Sequence, residues 1–314
     1  MKIINAKATN LAPLLLVLAG CKNQPQRTES YSPPQVVQAA TPRATLPLSN
    51  GVKSGFFKTS DGIWIHYLEA GSGRPILFIP GWTMPAWIWE NQIEEFSNRY
   101  HVVAVDPRSQ GESDRPNFGH LPETRARDYK ELVDHLGLKR PVLVGWSMAC
   151  GELMEYAEQF GTDNVSGFVM VDGVFYDKPR PDKFATTSVW LNQLQQDRRK
   201  NTDDFVRSMF KKPQEEDYLQ RVINASMQVP ADTAAVLMYN MIAANDFSGD
   251  FARLNRPVLF TYQPTAQQTA DYLKAKLGDK VRLERFDVDG HALFVDNPEK
   301  FNHLLEEFLQ SLPK

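Results

Sequence analysis

Cysteine is nearly absent from this 314-residue chain, which has only Cys21 and Cys150. Cys21 falls in a processing signal described below. Cys150 is then left without a partner, so no internal disulfide framework staples the folded part. Spaced Cys/His ligand clusters are also missing, so nothing calls for a zinc site or another cofactor. Charge of one sign is not in excess, with a net charge of −3, and this argues against a nucleic-acid partner. The basic runs Arg198-Arg199-Lys200 and Lys211-Lys212 lie among acidic residues and read as solvated helix faces. No apolar run is long enough to cross a bilayer, which takes about 20 residues. What remains is ordinary globular composition, 42% hydrophobic and 23% charged, sufficient for one large α/β domain or two small ones.

Met1 to Cys21 has the parts of an export signal: Lys2 and Lys7, then the short apolar run Leu11–Leu18 interrupted by Pro13, then Leu18-Ala19-Gly20-Cys21. This ending resembles the lipobox of bacterial lipoproteins. The resemblance implies that residues 1–20 are removed and that Cys21 is lipidated, anchoring the protein to a membrane of the cell envelope. An ordinary cleaved signal and an uncleaved leader are the alternatives. Lys22 after the cysteine favours the outer over the inner membrane, with the folded part facing the periplasm or exterior. Residues 21–54 are rich in Pro, Gln, Ser and Thr and read as a flexible tether.

After Gly55 strands and helices alternate. Phe56–Thr59 and Ile63–Tyr67 flank the turn Ser60-Asp61-Gly62 as a hairpin. Pro75–Ile79, His101–Val105, Val142–Val144 and Gly167–Val171 are short apolar strands. Helical spacing is expected over about Trp87–Asn98, Pro122–Leu136 and Met148–Phe160. From about 174 to 249 the strand signal disappears and amphipathic segments take over, including Trp190–Gln196, Phe205–Phe210 and Ala234–Ala243. Strands resume at Val258–Thr261 and Val281–Val288, and a last helix opens at Asn297-Pro298-Glu299. The alternation predicts a mostly parallel, doubly wound α/β sheet, with a helical cap inserted after the sixth strand.

Two short motifs carry chemistry. Gly145-Trp146-Ser147-Met148-Ala149 sits where a buried strand turns into a helix. A nucleophile on so sharp a turn needs small neighbours two residues away, and Gly145 and Ala149 supply them. Gly290-His291 follows the last strand, where an imidazole can take a serine proton and return it to a leaving group. The other five histidines lie in strand, loop or helix positions without such a setting.

From about residue 55 to 314 the chain resembles the α/β-hydrolase family. Besides Ser147 and His291, Phe78-Ile79-Pro80-Gly81-Trp82 resembles the oxyanion loop, with Pro80 where the family commonly has His. Asp106-Pro107-Arg108-Ser109-Gln110-Gly111-Glu112-Ser113 resembles the turn after the fourth strand, where Asp106 pins the loop. The resemblance implies an oxyanion hole built from the backbone N–H groups of Trp82 and Met148. It also implies hydrolysis of a small-molecule carboxylic ester through an acyl-enzyme on Ser147. Peracid formation, as in cofactor-free haloperoxidases, and a non-catalytic binding protein on the same fold stand as alternatives. The indole of Trp82 is expected to line an acyl pocket with Met84 and Trp146. Trp190, Phe210, Tyr218, Met227, Met238 and Tyr239 of the cap suggest further apolar walls, though such residues more often pack helices together.

The triad acid is not fixed by its usual place, because Val258–Thr261 is followed by Tyr262-Gln263-Pro264-Thr265 with no carboxylate. Asp172, after the preceding strand, keeps the order Ser–Asp–His and is the expected partner of His291. Asp271, Asp246 and a dyad without an acid remain open. Cys150 reads as a small packing residue, and Asp296, in the approach to the last helix, as a cap-region residue rather than a triad member.

Overall fold

The computed structural model describes residues 51–174, 181–243 and 253–313. Cys21, the tether to residue 50 and Asp246 lie outside the described residues. Among the described residues no helix is long and apolar enough to cross a membrane.

Eight strands form one sheet in the order β1-β2-β4-β3-β5-β6-β7-β8. The hairpin of β1 (Lys53–Lys58) and β2 (Trp64–Gly71) is antiparallel, and β2 also runs antiparallel to β4 (His101–Val105). Every other pairing is parallel, through β3 (Pro75–Ile79), β5 (Val142–Trp146), β6 (Gly167–Val171), β7 (Val258–Tyr262) and β8 (Val281–Arg285). All residues of β3, β5, β6 and β7 are buried, which explains why these runs are apolar without alternation. The expected doubly wound α/β sheet is therefore the one observed.

Helices α1 (Glu90–Phe96), α2 (Pro122–His135), α3 (Met148–Phe160), α8 (Gln267–Leu277) and α10 (Pro298–Ser311) cover its two faces. The last of these buries Phe301, Leu304, Leu305, Phe308 and Leu309, one stripe at helical spacing. Each such side chain contributes about 1.5–3 kcal/mol by leaving water. Asn297 caps it by accepting from the Lys300 N–H, and Pro298 occupies the first turn.

Between β6 and β7 lie α4 (Pro181–Gln196), α5 (Arg198–Ser208), α6 (Glu216–Met227) and α7 (Ala231–Ala243). They form the cap. Two expected elements are shorter than the sequence suggested. Strand β8 stops at Arg285, and Val288 is 70% exposed in the loop beyond. Helix α1 starts only at Glu90, because Ala86–Trp89 forms a 3₁₀ turn.

Candidate active site

Ser147 joins β5 to α3 with φ 57° and ψ −116°, a conformation that costs an L-residue about 1–3 kcal/mol. Its N–H donates to the Val171 carbonyl at 2.8 Å, which holds the bend against the end of β6. The turn is tight enough that a Cβ on Gly145 would lie 3.0 Å from the Ala149 carbonyl oxygen and 2.9 Å from Leu153 Cδ1. A Cβ on Gly81 would lie 3.1 Å from Ser147 Cβ, so glycine there brings the loop after β3 directly against the serine. Ser147 itself is half-buried.

His291 comes from the loop between β8 and the short helix α9 (Leu293–Asp296). Trp146, next to Ser147, donates its indole N–H to the His291 carbonyl at 2.9 Å. The two rings lie 5.2 Å apart. Asp296 fixes the other side of this loop: its Oδ2 accepts the Gly290 N–H at 2.7 Å and the Lys211 N–H at 2.8 Å. Asp296, directly before the Asn297 cap of α10, thus clamps the histidine loop to the cap.

The carboxylate paired with His291 is Asp172. Its Oδ2 lies 2.7 Å from His291 Nδ1, with the carboxylate 3% and the imidazole 25% exposed. This contact places the ring proton on Nδ1 and leaves Nε2 with a lone pair. Asp172 has φ 47°, so the chain bends as sharply here as at the serine. Gln263 completes the arrangement, with its N–H on Asp172 Oδ1 at 3.0 Å and its Nε2 on Oδ2 at 2.7 Å. Gln263 stands just after β7, where a carboxylate was looked for. It is a residue the sequence reading missed, although the gap itself was the signal. Asp271 is instead exposed on α8 and accepts from Gln267 at 2.9 Å.

The backbone donors named for the oxyanion hole belong to residues that follow Ser147 and Gly81 in the chain. Met148 opens α3, where an N–H has no acceptor within the helix. Trp82 follows Gly81, whose Cα faces the serine. The loop is gripped by the cap: the Trp82 indole donates to the Ala234 carbonyl at 2.8 Å, and Thr83 Oγ1 meets Ser226 Oγ at 2.7 Å.

The acyl-pocket expectation fails. Trp82 is 3% exposed, packed edge-on to Phe205 with ring centroids 5.1 Å apart, and Met84 and Trp146 are fully enclosed. Trp190 joins the same aromatic cluster, at 5.3 Å from Trp82. A cleft with about 480 Å³ of empty space, partly open to solvent, runs along α3 beneath α7, and neither Ser147 nor His291 is among its lining residues. Met148, Leu237 and Met241 give it apolar walls, while His120, Glu152 and Asn240 add polar ones. Burial, with the nearby Arg125 and Arg108 charges, pushes the His120 imidazole down to about 4.

Asp106 pins loops, as its motif implied. It accepts the Ala86 N–H with Oδ1 and the Glu112 N–H with Oδ2, at 2.9 Å for the latter. His66 Nδ1 also meets Asp106 Oδ2 at 2.6 Å, and His66 Nε2 meets Ser54 Oγ at 2.8 Å. His66 was not expected to have such partners. Ser54 lies on the edge strand β1 with no strand-to-helix bend beside it, so these three residues brace the sheet edge. Cys150 is 1% exposed, its thiol donates to the Gly145 carbonyl at 3.1 Å, and burial pushes its pKa up.

A mostly parallel sheet flanked by helices, with a serine at the strand-to-helix bend behind its fifth strand, defines an α/β hydrolase. The chain matches the alpha/beta hydrolase family over residues 76–304 and belongs to it. It is 38% identical to a non-heme haloperoxidase of Rhodococcus erythropolis over 120 residues, 38% of this chain and 44% of that relative, so the match spans less than half of the relative's length. It is 27% identical to a putative non-heme chloroperoxidase of a Synechocystis species over 269 residues, 81% of this chain and 97% of the relative. Among solved structures, an esterase from Exiguobacterium antarcticum superposes with TM-score 0.75 at 24% identity, covering 82% of this chain and 99% of that one. A bromoperoxidase from Bacillus anthracis gives 0.74 at 22%, over 82% and 100%.

Proposed function

We propose that the protein hydrolyses carboxylic esters of small or medium acyl groups through an acyl-enzyme on Ser147. The observation that carries this reading is the 2.7 Å contact of His291 Nδ1 with buried Asp172, made by a histidine whose backbone is tied to the residue before the serine. With the ring proton held on Nδ1, Nε2 is the base. Ser147 Oγ attacks the ester carbonyl, its proton passes to His291, and the oxyanion receives the N–H groups of Trp82 and Met148. The imidazolium, stabilised by Asp172, then protonates the departing alcohol. Water then attacks the acyl carbonyl as His291 takes its proton, and the Ser147 Oγ–acyl bond breaks as His291 returns that proton to Oγ, releasing the acid.

The test is labelling by a fluorophosphonate together with turnover of short-chain p-nitrophenyl esters. Both are expected in the wild type and neither in Ser147→Ala. Unchanged esterase activity in that variant would overturn the mechanism, and an unlabelled, inactive wild type would favour the non-catalytic reading. A second reading has support from the chloroperoxidase-named relative that aligns over 97% of its length. In that reading hydrogen peroxide replaces water in the second half-reaction and yields a peracid. Peracid formation at background level would dismiss it.

Lipidation of Cys21 belongs to the same proposal and places the enzyme on the cell envelope. It predicts that Cys21→Ser moves the protein from the membrane to the soluble fraction.

A further inference from the structure

The loop that carries Trp82 is also held by a chain of buried polar groups outside the cap. Gln110 is completely enclosed. Its Nε2 donates to the Gly81 carbonyl at 3.0 Å and to the Met84 carbonyl at 2.8 Å. Its Oε1 accepts from Arg125 at 3.0 Å. Arg125, 1% exposed, bonds in turn to the Glu152 carboxylate on α3 and, at 3.1 Å, to the Arg108 carbonyl. Tyr129 donates its hydroxyl to the other Glu152 oxygen. Each member has a partner, so the chain is rigid and costs no unpaired buried group.

The first contact falls on a particular peptide. The Gly81 carbonyl and the Trp82 N–H belong to one planar unit, and in a trans peptide they point in opposite directions. Fixing the carbonyl on the Gln110 side therefore aims the N–H to the other side. A hydrogen bond accepted by a carbonyl also draws electron density from its own amide nitrogen and strengthens the N–H as a donor, by about 10–30% per bond in a chain. The order of groups is Arg125 guanidinium, Gln110 amide, Gly81–Trp82 peptide.

We infer that Gln110 is a positioning residue for the oxyanion hole, orienting the Trp82 N–H and relaying to it the polarising effect of the buried Arg125 cation. The same chain ends on α3, the helix that carries Met148, so it also fixes the spacing of the two donors. This inference rests on the Ser147 reading above. Neither the bend at Ser147 nor the oxyanion loop alone reveals it, because Gln110 lies 29 residues from Gly81 and 15 from Arg125.

The test replaces Gln110 by methionine, which keeps the volume and removes both donor and acceptor. Should Gln110→Met not fold, Gln110→Glu fills the same space, keeps the tie to Arg125 and removes the donor. The full chain is assayed with short-chain p-nitrophenyl esters and with a trifluoromethyl ketone, whose adduct with Ser147 carries the oxyanion. The expected result is a fall in kcat of about tenfold to a hundredfold, below the roughly 10²–10³ that removal of a whole donor costs. KM should stay within about twofold, and the ketone should weaken by the same factor as kcat/KM. A merely structural residue would lower thermal stability without coupling kcat to the ketone. A folded variant that retains kcat and ketone affinity within twofold overturns the inference. Fluorophosphonate labelling of Ser147 in the same sample keeps the two readings apart: a labelled variant with full turnover sinks only the Gln110 role, whereas an unlabelled wild type sinks the Ser147 mechanism.

Discussion

Replacing Asp172 by asparagine separates the proposed triad from its alternatives. The carboxylate has two unequal oxygens: Oδ1 faces the backbone N–H of Gln263, and Oδ2 faces His291 Nδ1 and the Gln263 side chain. An asparagine must put its NH₂ at one of them. At Oδ1 the NH₂ would confront a donor that cannot rotate away, leaving buried donors unpaired at about 1–3 kcal/mol. At Oδ2 the Gln263 amide can flip to accept. The NH₂ therefore turns toward His291 Nδ1, favoured about fivefold to 150-fold. The imidazole must then carry its proton on Nε2, where it cannot accept from Ser147. The wrong tautomer alone then lowers kcat about fivefold to 150-fold, and losing the carboxylate charge that stabilises the imidazolium carries the total toward the roughly 10⁴-fold of a Ser-His-Asp site, or about 5.5 kcal/mol at 1.36 kcal/mol per tenfold. The assay is steady-state turnover of a short-chain ester by Asp172→Asn, with Asp271→Asn as a control that should match the wild type. An Asp172→Asn enzyme within tenfold of wild type would refute the argument, and a collapse in Asp271→Asn would move the acid elsewhere.

Gly81→Ala should fold yet lose about 10–100-fold in kcat, since its methyl must displace Ser147 Cβ or the Trp146 backbone by a few tenths of an ångström. Wild-type turnover in that variant would show the loop can retreat freely. His120 binds a proton more weakly when folded, at about 4 against 6.5 for the free group. Between those values the unfolded chain holds more protons, so this contribution is complete above pH 6.5 and disappears as pH falls to about 4, by up to about 3 kcal/mol. His120→Gln should flatten the fall of Tm across that window, and parallel curves for the two proteins would contradict the assignment. Cys150 should resist alkylation by iodoacetamide in the native protein and react on unfolding. Rapid native modification would mean that its burial is wrong. Ser54→Ala should leave fluorophosphonate labelling unchanged, and lost labelling would show that the Ser54–His66 pair reacts.

The centre of the sheet was legible because buried parallel strands leave a local signature, as in Pro75–Ile79 and Val142–Val144. Ser147 was legible for a similar reason, since a bend that tolerates no Cβ at Gly145 writes itself into neighbouring positions. The support of Asp172 was not, because Gln263 lies 91 residues away and glutamine has many bland uses. Trp82 misled the pocket reading, since its indole packs on Phe205, whereas Trp190 packs in the same cluster, as is commoner for such cap residues. Helix α6 went unread although Leu219, Val222, Ile223 and Ser226 mark its buried face. Val288 extended the last strand on paper, but apolar character alone does not decide where a strand ends.

The cap is fastened to the proposed reaction centre at several points: Ala234 to the Trp82 indole, Ser226 to Thr83, and Lys211 to Asp296 under the histidine loop. Exchanging it for the corresponding insert of a relative, a common route to new specificity in modular enzymes, would therefore do more than change the roof of the cleft. A graft that omits these three attachments would release both loops at once, and its failure would say nothing about whether the new substrate fits.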